Sequence, residues 1–295
     1  MDADFSHSPS LLILPSQSSF MYTFTDPLGR TIILSQAPRR IISLVPSQTE
    51  LLYSLGLDQE VIGITKFCVH PAPWFREKIR IGGTKDLRPE RIHSLQPDLI
   101  LANKEENDRG QVEELALHYP VWVSDVKDLP GALEMIRSVG NLTARKEKAE
   151  TLATEIARRF SELETALRPP PGSGFSPSPL TAYFIWRNPW MIAGGDTFIS
   201  NMLQYCGLTN AFRHLDRYPT IDPASLADSN VQCVLLSSEP YPFKEKHFRE
   251  IRSILPAATI LLVDGELFSW YGSRLLEAPA YFQRIFTEHS ARYPL

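Results

Sequence analysis

Three of the chain's five tryptophans, Trp186, Trp190 and Trp270, fall in short stretches that also carry charge. One reads Trp186-Arg187-Asn188-Pro189-Trp190, and a second reads Glu239-Pro240-Tyr241. A third runs Glu266-Leu267-Phe268-Ser269-Trp270-Tyr271-Gly272-Ser273-Arg274. Two more stretches join them, Lys66-Phe67-Cys68-Val69-His70-Pro71 and Asn103-Lys104-Glu105-Glu106-Asn107. Flat aromatic faces beside Lys104, Glu105, Arg187, Glu239 and Arg274 suit a bulky ligand with an apolar body and polar edges. Packing between two parts of the fold is the competing reading of the same aromatics.

Catalysis finds no such support. The sequence has no Gly-x-Ser-x-Gly elbow, P-loop, Gly-x-Gly-x-x-Gly or His-Glu-x-x-His, and nothing poises a nucleophile beside a base. The expectation is a binding protein with no built-in cofactor, not an enzyme. Direct coordination of a bare metal by His70 and Cys68, with Glu105 or Glu239, is a sharper rival. However, no His-rich stretch exists, and the three cysteines, Cys68, Cys206 and Cys233, form no Cys-x-x-Cys. A structural zinc site is therefore not expected.

The elements that must carry these residues follow from hydrophobic pattern. Tyr22–Leu34 reads as a hairpin around Asp26-Pro27-Leu28-Gly29. Short apolar runs at 40–44, 61–65, 98–102 and 121–124 read as strands buried on both faces, with helices after Pro46 (capped by Ser47 or Thr49), over Pro89–Leu95 and over 110–118. From 145 to 167, Ala149, Leu152, Ala153, Ile156, Phe160, Leu163 and Leu167 recur at spacings of three and four. That spacing predicts one amphipathic helix of about six turns. Strands at 180–186, 231–237 and 259–263 and helices at 196–206, 243–251 and 275–287 repeat the strand–helix alternation. The predicted fold is α/β: two lobes of parallel sheet with flanking helices, joined by one long helix that holds them apart. The divisions are a disordered leader over 1–20, a first lobe over 21–128, a linking segment over 129–168, a Pro/Gly/Ser loop over 169–179 and a second lobe over 180–295. In open sheets of this kind, ligands sit beyond the carboxyl ends of the strands. That rule selects the aromatic stretches above.

Ordered segments now carry a resemblance. DPLGRTIILSQAPRRIISLVPSQTELLYSLGL and RPERIHSLQPDLILAN resemble the first half of the helical-backbone metal receptors. GGDTFISNMLQYCGLTNAF and IDPASLADSNVQCVLLSSEPY resemble the second half. These are class III periplasmic binding proteins for cobalamin, haem and ferric siderophores, substrate-binding components of ABC importers. The resemblance runs from about Tyr22 to Phe286. It implies a corrinoid or other metal chelate in a cleft between the lobes, pre-formed because the linking helix is stiff. Phe67 stands where cobalamin binders place a ligand-facing tyrosine, and Trp186 where they place a phenylalanine. Asn103 and Thr84 replace tryptophans, so the ring would lose stacking partners there. Phe67, His70, Lys104, Glu105, Trp186, Arg187, Trp190, Glu239, Tyr241, Trp270, Tyr271 and Arg274 are the expected contacts, His70 as an axial contact to a chelated metal. The resemblance also implies docking to a permease through an acid on each lobe. Glu90 matches the first, whereas the second falls at Ala224, two residues from Asp222.

Bulk properties agree with a globular protein: 43% of residues are hydrophobic, 22% are charged, and the net charge of −4 gives no pull toward nucleic acid; a monomer is expected. No run reaches the roughly 18 apolar residues of a membrane span. The amino terminus opens with acids, has no Lys or Arg before Arg30, and its apolar stretch is only Leu11–Leu14. That is not a secretory signal; Met21 is an alternative start. The resemblance implies the periplasm, with an export signal outside this chain. A cytoplasmic chelate-binding protein without a transport role is the alternative.

Overall fold

A computed structural model describes residues 21–168 and 178–292. The expected leader and most of the expected Pro/Gly/Ser loop lie outside them. The chain opens with the antiparallel hairpin β1 (Tyr22–Thr25) and β2 (Thr31–Leu34). Then come β3 (Ile41–Ser43), α1 (Pro46–Ser54), β4 (Val61–Ile64), α2 (Ala72–Glu77), β5 (Ile79–Arg80), α3 (Pro89–Leu95), β6 (Leu99–Asn103), α4 (Arg109–Ala116) and β7 (Val121–Ser124). Two helices follow, α5 (Leu129–Leu142) and α6 (Lys146–Leu167). The second half comprises β8 (Leu180–Trp186), β9 (Met191–Ile192), α7 (Phe198–Tyr205), β10 (Thr209–Asn210), α8 (Pro223–Ala227), β11 (Cys233–Ser237), α9 (Phe248–Ile254), β12 (Thr259–Val263), α10 (Gly265–Ser269) and α11 (Ala278–Arg292). Single 3₁₀ turns precede α9 (Glu245–His247) and α11 (Ser273–Leu276).

Each half is built on a largely parallel sheet. The first runs β5-β4-β3-β6-β7 and the second β10-β8-β11-β12, with β9 antiparallel beside β8. In both, the chain leaves the first strand for one neighbour and later crosses to the other side. The crevice therefore opens beyond β3 and β6 in one half, and beyond β8 and β11 in the other. Alternation along buried strands explains how each sheet is covered twice. Leu99 and Leu101 of β6 enter a central core, while Ile100 and Ala102 enter an outer one. On β11, Cys233 and Leu235 face the central core and Val234 and Leu236 the other outer one.

The central core is continuous between the halves. It joins Ile41, Leu51 and Leu101 of the first to Tyr183, Leu235 and Phe268 of the second, through Ala149, Ala153, Ile156, Phe160 and Leu163 of α6. The helix therefore does not hold the halves apart, as the sequence suggested; it packs against α5, α7 and α11. Its solvent face is laced by Arg158 and Arg159 on Glu155, and by Arg158 on Glu162.

Several expectations are corrected. Helix α5 was not foreseen, although Leu129, Ala132, Met135, Ile136, Val139 and Leu142 line its buried face and Asp128 caps it by accepting from Gly131 N. Helix α1 has no Ser47 or Thr49 cap; Pro46 starts it, and both residues are buried within it. The helices expected at 243–251 and 275–287 begin later, each after a 3₁₀ turn. The stretch 266–274, read as a loop, contains α10, capped by Asp264 on Glu266 N. α2, β5, β9, β10 and α8 were also missed, most of them too short for periodicity to register.

Candidate ligand-binding site

The loop after β6 is held by its own amides. Asn103 Oδ1 accepts from the backbone N–H of Glu105 at 2.9 Å and of Glu106 at 3.0 Å. Asn107 Oδ1 accepts from Asn103 N at 2.8 Å, and its amide donates to Thr84 O at 2.8 Å. Asn103 is thus buried as a loop-builder, and the two glutamates stand outward from a fixed backbone. Both reach the second half. Glu105 pairs with Arg217 at 2.5 Å and accepts from the Tyr218 hydroxyl at 3.4 Å. Glu106 accepts from the Tyr271 hydroxyl at 3.4 Å.

Beneath this rim the halves meet again. Arg274 holds Glu50 with two hydrogen bonds, at 3.0 and 2.6 Å, and Glu266 at 3.1 Å. His70 Nε2 stands 3.5 Å from Glu266 Oε1. The Trp270 indole meets the His70 ring edge-on at 5.9 Å and has the Arg274 guanidinium over it at 5.1 Å. Its Nε1–H donates to Glu239 Oε1 at 2.9 Å, beside the Ser269 hydroxyl at 2.8 Å. Trp270 is only 6% exposed. The expected open cleft is therefore bridged by the protein's own contacts. A pocket of about 140 Å³ lies elsewhere, between the hairpin and the end of α5, lined by residues such as Tyr22, Phe24 and Leu142.

Electrostatics at the junction follow from this packing. Burial, with Glu239 nearby as a like charge, pushes Glu106 up to about 7, and the Tyr271 hydrogen bond only partly opposes it. Burial likewise raises Glu239 and Glu266. Neither Glu106 nor Glu239 has a Lys or Arg partner among the ion pairs of the described residues. Cys68 lies in the core between Thr49 and Thr65, which it meets by hydrogen bonds, and burial pushes its thiol up to about 11. Among the described residues, no three His, Cys, Asp or Glu side chains are grouped to hold a metal ion.

Of the residues expected from sequence, His70, Glu105, Glu239, Trp270, Tyr271 and Arg274 come together here. Trp186, 40% exposed, stands apart at the end of β8 with Tyr241 at 5.7 Å, joined to the junction by the turn 239–241. Trp190 stacks on Phe243 and meets Phe184 edge-on, within the outer core of the second sheet. Arg187 is engaged twice by Glu250, at 2.9 Å. Lys104 pairs with Asp125 at 2.5 Å, and Phe67, 51% exposed, lies under the Lys66 ammonium. Glu90 is exposed in the first turn of α3. Asp222 caps α8 on the N–H groups of Ala224 and Ser225 and accepts from the Ser225 hydroxyl, which, with those bonds, lowers its pKa. Sequence reasoning missed Glu50, Arg217 and Tyr218. The first sits a turn into a helix, and the others lie in a Pro- and Asp-bearing stretch that follows none of the strands it foresaw.

A family model described as periplasmic binding protein matches residues 41–251. The vitamin B12-binding protein of Pectobacterium carotovorum subsp. carotovorum (strain PC1) is 26% identical over 261 residues, covering 87% of this chain and 90% of its own. The periplasmic vitamin B12-binding protein of Vibrio cholerae superposes with a TM-score of 0.72 at 21% identity, over 85% of this chain and 98% of that one. The molybdate periplasmic binding protein of a Haemophilus influenzae ABC transporter does so with a TM-score of 0.74 at 12% identity, over 92% and 94%. At those identities the structural likeness shows the fold alone.

Proposed function

Because the chain belongs to the periplasmic binding protein family, we propose that it binds a metal chelate between its two sheets as the substrate-binding component of an ABC importer. One observation carries this reading: side chains from the carboxyl ends of both sheets converge on a single aromatic and ionic junction, Trp270 with His70, Glu239, Arg274 and the Glu105–Glu106 rim. Strand ends that face each other across two sheets are where a ligand can be gripped from both sides. Among chelates, a corrinoid is favoured by the Pectobacterium relative's name. Trp186 and Phe67 keep exposed faces on which a flat ring can lie. His70 has a partly exposed imidazole and takes the axial role on a chelated metal. Glu90, solvated on α3, is the docking acid for a permease arginine, and the site of action is the periplasm.

The test is a melting-temperature screen of the full chain against cyanocobalamin, cobinamide, haem and a ferric hydroxamate. A ligand that binds the folded state alone raises the melting temperature by mass action. For the compound that binds, Trp186→Ala should weaken affinity by about 1–3 kcal/mol, the scale of an aromatic anchor. No shift with any of the four compounds would sink the chelate reading.

A further inference from the structure

Glu105 and Arg217 face each other from opposite halves on backbones that cannot readily move. The Asn103 side chain ties down the amides of Glu105 and Glu106. Arg217 is held in the left-handed region at φ +59°, its N–H donating to Asp196 and its carbonyl accepting from Gly194 N at 2.8 Å. A non-glycine residue stays in that region only when its surroundings impose it. The two side chains keep some exposure, 22% for Glu105 and 48% for Arg217, and a part-exposed pair of this kind is weak. The pair therefore opens at little cost, but its two ends remain fixed in place. Whatever enters between the halves at this rim meets a carboxylate on one side and a guanidinium with the Tyr218 hydroxyl on the other.

We infer that the rim selects a ligand whose edge carries primary carboxamides rather than carboxylates. This deepens the proposed function and rests on its chelate reading. A carboxamide N–H donates to Glu105 while its carbonyl accepts from Arg217 and Tyr218, so one neutral group replaces both ends of the broken ion pair. A carboxylate satisfies Arg217 and sets a like charge against Glu105, with Glu106 one residue further. Corrinoid rings are fringed by carboxamides, whereas the edge of haem carries carboxylates.

The experiment keeps the ring and metal constant and changes only the fringe. Dicyanocobinamide and dicyanocobyrinic acid, whose carboxylates replace the amides, are titrated by tryptophan fluorescence into the full-length chain, the Glu105→Gln variant and the Arg217→Gln variant. Wild type should prefer the amide-fringed ring about tenfold or more. Glu105→Gln should narrow that preference severalfold, because a glutamine amide donates to a carboxylate, and Arg217→Gln should widen it. Melting curves near wild type verify that each variant folds, and either variant alone tests the direction. Equal binding of the two rings, or a preference unmoved by both substitutions, overturns the inference and leaves the chelate reading intact. Binding of neither ring overturns the corrinoid reading and the inference with it.

Discussion

Glu106 carries the clearest pH signature in the molecule. Its carboxyl is held at about 7, against an ordinary 4.5, by burial first and by the Glu239 charge next. Between those values the folded chain keeps a proton that the unfolded chain has released. The stability from this group is therefore whole below about pH 4.5 and is lost as pH rises through 7. Glu106→Gln removes the titration. Chemical denaturation at pH 5 and pH 8 should show wild type losing up to about 3 kcal/mol more than the variant across that interval. Parallel losses in the two proteins would show that Glu106 titrates normally. Trp270 illustrates a different residue-scale point. Its indole is packed by the protein's own His70 and Arg274 and hydrogen-bonded to Glu239, so it is an anchor of the junction before it is a contact for any ligand. Trp270→Ala should cost about 3–5 kcal/mol of stability, as large aromatic truncations in a core do, and a loss below 1 kcal/mol by urea titration would mean that the indole packs loosely.

At the scale of elements, α5 and α6 approach closely at one point. A methyl built on Gly140 would stand 2.2 Å from the Ala149 Cβ. Alanine normally favours a helix interior by about 1 kcal/mol over glycine, but overpacking here costs about 1–3 kcal/mol. Gly140→Ala should therefore destabilise the protein; a melting temperature at or above wild type would show that the helices can separate to admit the methyl. Ser161→Ala, on the exposed face of α6, should stay within about 0.5 kcal/mol and calibrates the comparison. The apolar stripe that made α6 legible, Ala149 to Leu163 at spacings of three and four, is the face that enters the shared core. The α5 stripe was equally regular. Its second glycine, Gly140, serves the close approach to α6.

Over the whole molecule, one hydrophobic cluster runs from the first sheet through α6 to the second. Cooperative unfolding follows contiguous cores. The two halves should therefore melt together, and far-ultraviolet circular dichroism and tryptophan fluorescence should give coincident urea transitions. Two separated transitions would show that the halves are independent units and that the shared core contributes little. The cross-half contacts add direction to this coupling. Arg274 on Glu50 closes the junction from beneath, while Tyr271 on Glu106 and the part-exposed Glu105–Arg217 pair close it at the rim.

Local patterning was enough to specify the longer parallel strands and the helix 146–167, because burial on both faces of a strand or one face of a helix leaves a short-range repeat in the chain; the two-residue strands β5 and β10 are too short to leave one. It also pointed to the loops beyond the strand ends, where Trp186, Trp270 and their charged neighbours cluster. Tertiary structure alone decided which side chains meet. Glu105 and Arg217 are 112 residues apart, Glu106 and Tyr271 165, and Glu50 and Arg274 224. Such pairings depend on how two sheets dock over a common core, a geometry that a periodicity of two or 3.6 residues does not encode. The same docking buried Trp270 and left Trp186 exposed, although the two lie in stretches of similar composition.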